Sequence, residues 1–157
     1  MLASYNEWAN RLVYAVAAEL SESDYHANRG AFFGSLHNTL NHILVGARIW
    51  LHRITGDGDA PDRLDAILYD DLSTLTAARE AEDVRLILYV DSLDDAVSAG
   101  TLHYANMQGD RFEQPLAEVL VHAFNHQTHH RGQAHTLTTG FDHAAPSLDL
   151  IQYYRER

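Results

Sequence analysis

Cysteine is absent from the 157 residues, which removes disulfide frameworks, thiolate-bound zinc, iron–sulfur clusters and protein-thiol nucleophiles. Lysine is absent too, so all 11 basic side chains are arginines. Neither a Schiff-base lysine nor the lysine of a phosphate-binding P-loop is available. No stretch approaches the ~18 consecutive apolar residues of a membrane span, and the opening MLASYNEW has no basic region followed by an apolar one. A cytoplasmic protein is therefore expected. Positive charge is scarce. Eleven arginines against 22 acidic residues leave a formal net charge of −11, which repels phosphate backbones and anionic lipid, so no nucleic acid and no membrane partner is expected.

Hydrophobic residues make up 46% of the chain, enough for one continuous core, and a single domain over residues 1–157 is expected. Histidine is what the sequence has in excess. Six of its 11 histidines lie between His122 and His143, an unusual density for a side chain used chiefly for metal binding and proton transfer.

Apolar residues recur at intervals of three and four over residues 3–20, predicting an amphipathic helix. A second helix is capped by Ser35 and closed by Gly56, with Leu36, Leu40, Ile43, Ala47, Trp50 and Ile54 on one face. Residues 56–62 (GDGDAPD) read as a loop. Residues 71–98 contain no Gly or Pro and favour a long third helix. The Gln-Gly-Asp turn within TLHYANMQGDRFEQ predicts a short β-hairpin or extended excursion. Pro115 suits the first position of a fourth helix running to Gly140, and Ser147 a cap for a short terminal helix. Four long helices with short joints imply an all-α four-helix bundle.

The fourth helix carries candidate ligands at positions 122, 126, 129, 130 and 135. At about 100° per residue, Val119, Ala123, Ala134 and Leu137 fall roughly 20–80° from His126. His130 lies at about 40°, inside that apolar stripe. His122 and His129, at about −40° and −60°, lie on its flank, placed to line a cavity or exchange protons. Two imidazoles one turn apart chelate a single ion readily. A satisfied polar network would equally offset their burial, the ordinary fate of a core histidine. A third ligand has to come from elsewhere, and the helix face alone does not decide between His42 and His37.

The stretches YNEWAN, FFGSLHNTLNHILVGARIWL, AREAEDVRL, LHYANMQGDRF, LVHAFNHQTHHRGQAHTL and PSLDLIQYYRE, covering nearly the whole chain in order, resemble the DinB family. These are damage-inducible, YfiT-like bacterial helical metalloproteins, distinct from the DNA polymerase that shares the name. The resemblance implies an up-down-down-up four-helix bundle, a homodimer, a stress-response role and a metal site of three histidines. By motif these are His42 in LNHIL and His126 and His130 in NHQTHH. One departure is visible: Ala47 stands where similar sequences often carry Asp.

Three neutral histidines leave positions open on a divalent transition-metal ion, whether zinc, nickel, iron or manganese. Such an ion activates water or a thiol near neutral pH. Zinc proteases carry Glu after the first His of HExxH, but Gln127 follows His126 here, so a protease-like general base is missing unless His122 or His129 replaces it. The resembled superfamily also includes enzymes that use low-molecular-weight thiols, which implies a thiol S-transferase. A metal-dependent hydrolase and a non-catalytic metal-binding protein are the alternatives. Asn125 and Gln133 are placed to orient imidazoles, Gly132 to allow close helix packing, Arg131 to form an ion pair or meet an anionic substrate, and Tyr104 and Arg111 to border the site mouth.

Overall fold

The computed structural model describes residues 1–141 and 145–157; His143 therefore lies outside the described residues. Four long helices dominate: α1 (Leu2–Ala18), α3 (Leu36–Thr55), α4 (Leu72–Asp91) and α6 (Leu116–Thr138). Short helices α2 (Glu22–His26), α5 (Asp95–Ser98) and α7 (Leu150–Glu156) lie between or after them. A two-stranded antiparallel hairpin, β1 (Thr101–Ala105) and β2 (Arg111–Pro115), precedes α6, with Tyr104 opposite Phe112.

Side-chain pairings fix the directions of the long helices. Along α3 and α6, His42 meets His130, Gly46 approaches His126 and Trp50 meets His122, so the two run antiparallel. Between α3 and α4, Arg48 faces Glu82, and Leu51 packs with Leu86, giving a parallel pair. Asn6 and Asn10 bond Asp83, while Ala3 packs with Leu86, making α1 antiparallel to α4. The result is an up-down-down-up bundle in which α1 and α3 are diagonal. Its main core is built from Val13, Leu36, Leu40, Ile43, Leu44, Leu75, Ala134 and Leu137.

Local chemistry explains where elements stop. Ser35 Oγ accepts from Asn38 N at 3.1 Å, and Gly56 closes α3 in the left-handed region at φ 74°, as the sequence predicts. The helix expected over 71–98 is broken. Ser92 N turns back to the Leu88 and Tyr89 carbonyls, and Asp94 caps a new turn through Val97 N at 2.7 Å. Pro115 is not the first helical residue; it ends β2 opposite Thr101 and serves as N-cap, so α6 begins at Leu116. Asp149, not Ser147, precedes α7, and its side chain makes no capping bond. Helix α2, capped by Ser21, was not anticipated.

Candidate metal centre

The centre lies on the α3/α6 seam. His42 is 4% exposed and His130 9%, while His126 is half-buried between them. One ring nitrogen from each lies within 4.8 Å of the other two. Helix geometry accounts for the pairing, since one turn of α6 separates His126 from His130 and antiparallel α3 brings His42 opposite. Gly46, one turn after His42, provides room. A Cβ built there would stand 2.6 Å from His126 Cε1, so the ring keeps this place only while position 46 lacks one.

Hydrogen bonds fix how two of the rings present themselves. His42 Nδ1 lies 2.7 Å from the Leu64 carbonyl, an acceptor only, and therefore carries the proton. Asn41 holds that loop in place. Its Oδ1 accepts from Leu68 N at 2.8 Å and Tyr69 N at 3.1 Å, and its Nδ2 donates to the Tyr69 carbonyl. His130 Nδ1 donates to Gln133 Oε1 at 2.8 Å. Both Nε2 lone pairs then face each other across 3.1 Å. Two acceptors at that separation repel unless a cation lies between them, and the distance is close to the ~3.3 Å between neighbouring nitrogens on a tetrahedral ion with ligands at 2.0–2.1 Å.

His126 Nδ1 is buried with no hydrogen-bond partner. Burial, reinforced by the His130, His42, His122 and His129 rings, pushes its pKa down to about 3. Burial is also the main cause lowering His42 and His130. All three are thus neutral near pH 7, the form that ligates metal. Phe33 stacks on His42 at 4.0 Å between centroids and meets His130 edge-on at 5.6 Å, covering one side of the cluster. The donor set fits a divalent ion: three neutral imidazoles, two with their distal nitrogens already anchored.

The other sequence candidates divide clearly. His37 is occupied, with Nδ1 3.0 Å from Asn38 Oδ1 and Nε2 3.1 Å from the Tyr69 carbonyl. His122 and His129 are exposed on the rim. His122 packs against Trp50, and His129 lies against His130 with Nε2 3.3 Å from Gln133 Nε2. Gln133 orients an imidazole as the sequence suggests. Asn125 instead lines a groove with Leu2, Tyr5 and Arg131. Gln127 is buried and donates to the Ile43 carbonyl at 2.9 Å, so the position a protease would give to its base is a helix tie.

Arg131 forms neither a direct ion pair nor an anion site. It is buried against the Asn6 and Asn10 amide oxygens and Thr128 Oγ1, and those asparagines in turn bond Asp83. Gly132 is exposed and a Cβ there would touch nothing; the glycine of close approach within a long helix is Gly46, which sequence reasoning passed over. Its signal was its place one turn after His42 on the apolar side of α3. Tyr104 does reach the site's flank through Trp50, whereas Arg111 lies with Phe112 along a hairpin groove of about 540 Å³.

An antiparallel α3/α6 pair presenting three inward imidazoles, two of them braced from behind, defines a helical bundle with a candidate metal centre. The DinB family model matches residues 1–156, and the chain belongs to the DinB family. It is 25% identical over 162 residues to Protein DinB of Bacillus subtilis (strain 168), across 97% of this chain and 91% of that protein. No helix among the described residues is long and apolar enough to cross a membrane.

Proposed function

We propose that His42, His126 and His130 hold one divalent transition-metal ion, drawn from zinc, nickel, iron and manganese, and that the protein transfers a low-molecular-weight thiol to an electrophile. The observation that carries the reading is the pair of Nε2 atoms 3.1 Å apart, each on a ring whose Nδ1 lies against an oxygen acceptor. Bound by three neutral imidazoles, such an ion keeps open positions and lowers the pKa of a thiol or water placed there.

The chain's own residues favour thiol over water. Gln127 is committed to the Ile43 carbonyl, and no carboxylate joins the three-histidine cluster among the described residues, so hydrolysis lacks the carboxylate base of the zinc proteases and has only a rim histidine in its place. A thiol is already a strong nucleophile once it loses its proton. His122, exposed with its ring 6.1 Å from His126, is placed to accept that proton. The sulfur forms the new S–C bond, and the electrophile's leaving group departs with the electron pair of the bond it breaks. Phe33 limits water on the His42 side.

The test begins with elemental analysis of protein purified without added metal or a histidine tag. One equivalent is expected in the wild type and in His37→Ala and His52→Ala, and none in His42→Ala, His126→Ala or His130→Ala. Full occupancy in any of the last three overturns the site. Conjugation of glutathione, bacillithiol or mycothiol to an electrophilic reporter should then require metal and vanish in His130→Ala. Metal-dependent cleavage of esters, amides or phosphoesters without thiol conjugation would replace this reading with a hydrolase.

A further inference from the structure

Beyond the histidines, the same seam continues as a ladder of rings. The His126 ring lies 6.1 Å from His122, which meets Trp50 edge-on at 4.9 Å, and Trp50 meets Tyr104 at 5.4 Å. At the end of this ladder Arg53 is held against two aromatic faces, its guanidinium carbon 4.7 Å from the Trp50 centroid and 5.4 Å from that of Tyr104.

Arg53 is partly buried, and its guanidinium meets aromatic faces rather than acids. Arg48 on the same helix and Arg79 and Arg85 on α4 all pair with carboxylates. Arg53 has no carboxylate within ion-pair distance among the described residues; burial lowers its pKa, and the only opposing influence is the Tyr104 phenol. In a protein with twice as many acidic as basic residues, a half-buried guanidinium left without an acid is free to receive one. Cation–π contact fixes its plane while leaving its N–H donors unspent, which is the geometry that grips a carboxylate in two places.

Position supplies the scale. Arg53 follows Gly46 by two turns of α3, about 10 Å along the axis, and Gly46 lies against the His126 ring. We propose that Arg53, framed by Trp50 and Tyr104, is the anion-recognition end of the substrate site and receives a carboxylate on the thiol substrate. Two helical turns exceed the span of a single amino acid, so the arrangement suits a peptide-sized acidic thiol. The inference rests on the thiol reading above for the identity of the ligand, but the arginine's preference for charge is measurable without turnover.

The protein has two tryptophans, Trp8 and Trp50, so their indole N–H signals provide a reporter and an internal control in zinc-loaded protein, assigned with Trp50→Phe. The probes are glutathione and its diethyl ester, which match in length and differ in carboxylate charge. Glutathione should shift the Trp50 signal saturably with a Kd tenfold or more below that of the ester, leaving Trp8 in place. Arg53→Gln should raise the glutathione Kd to that of the ester without changing the ester's Kd or the zinc stoichiometry. Arg53→Lys, which keeps the charge but loses the planar fork, should retain only part of the preference. Equal Kd values in the wild type, a preference that survives Arg53→Gln, or no saturable shift at Trp50 would each overturn the proposal. A charge preference at Trp50 without any thiol conjugation would sink the transfer reading and leave this anion site standing.

Discussion

At the scale of single residues, Gly46 is where helix stability and the candidate metal centre conflict. Glycine inside a helix costs about 1 kcal/mol relative to alanine, so its presence in α3 calls for a compensating reason. That reason is the His126 ring, whose Cε1 would lie 2.6 Å from a new Cβ. Gly46→Ala should therefore separate fold from site. In metal-free protein, thermal unfolding is expected at or slightly above the wild-type temperature. Metal affinity should fall at least tenfold, because the displaced imidazole no longer converges with His42 and His130. Wild-type affinity by metal titration would show that the ring has another place to go. Asn41 makes the complementary case. Its amide pins the Leu68–Tyr69 segment of the loop whose Leu64 carbonyl meets His42 Nδ1, so the Asn-His pair in LNHIL joins a brace to a candidate ligand.

At the scale of elements, caps decide where helices begin, and one of them is titratable. Asp71 opens α4 by accepting from Thr74 N at 2.8 Å while also holding the Thr74 and Ser73 hydroxyls. These bonds, led by the Thr74 hydroxyl, pull its carboxyl down to about 2 from an ordinary 3.8. A depressed pKa stabilises the fold above the unfolded value, and that contribution is lost as pH falls from about 4 to about 2. Wild type should accordingly exceed Asp71→Asn in stability at neutral pH, and the gap should close across that acid window when unfolding is followed at several pH values. Caps also show what sequence could and could not reveal. Ser35 and Gly56 bound α3 by local rules, and the apolar stripe of α6 singled out His126 and His130 by angle alone. Ser92 to Asp94 interrupts an apparently continuous helix because Asp94 bonds Val97 N, a competition between two similar backbone paths that propensity does not resolve. His42 against His37 was decided by tertiary partners, since the Tyr69 carbonyl that occupies His37 and the Leu64 carbonyl that orients His42 both belong to a loop packed on α3 only after folding.

Across the whole molecule, two buried polar centres share α6 but face opposite sides of the bundle. On the α1/α4 side, Asp83 accepts from Asn6, Asn10 and Arg79, and the two asparagines pass their oxygens to Arg131. Arg79 and Arg131 are each 2% exposed and Asp83 3%, so one carboxylate balances two guanidiniums inside the protein. On the α3 side, no arginine among the described residues pairs with the three histidines, whose cluster is compatible with an ion from outside. Asp83→Asn leaves both arginines uncompensated and should cost about 3–5 kcal/mol in urea unfolding, because the loss loosens α1 and α4 from α6 together. His130→Ala should cost far less in metal-free protein. Adding zinc reverses the comparison. Binding at 100 times Kd adds about 2.7 kcal/mol to the folded state, an increment expected in full for wild type and for Asp83→Asn and not at all for His130→Ala. Loss of the zinc increment in Asp83→Asn, with helical content intact, would instead make the charge network a support for the metal centre, transmitted through Arg131 to the neighbouring His130.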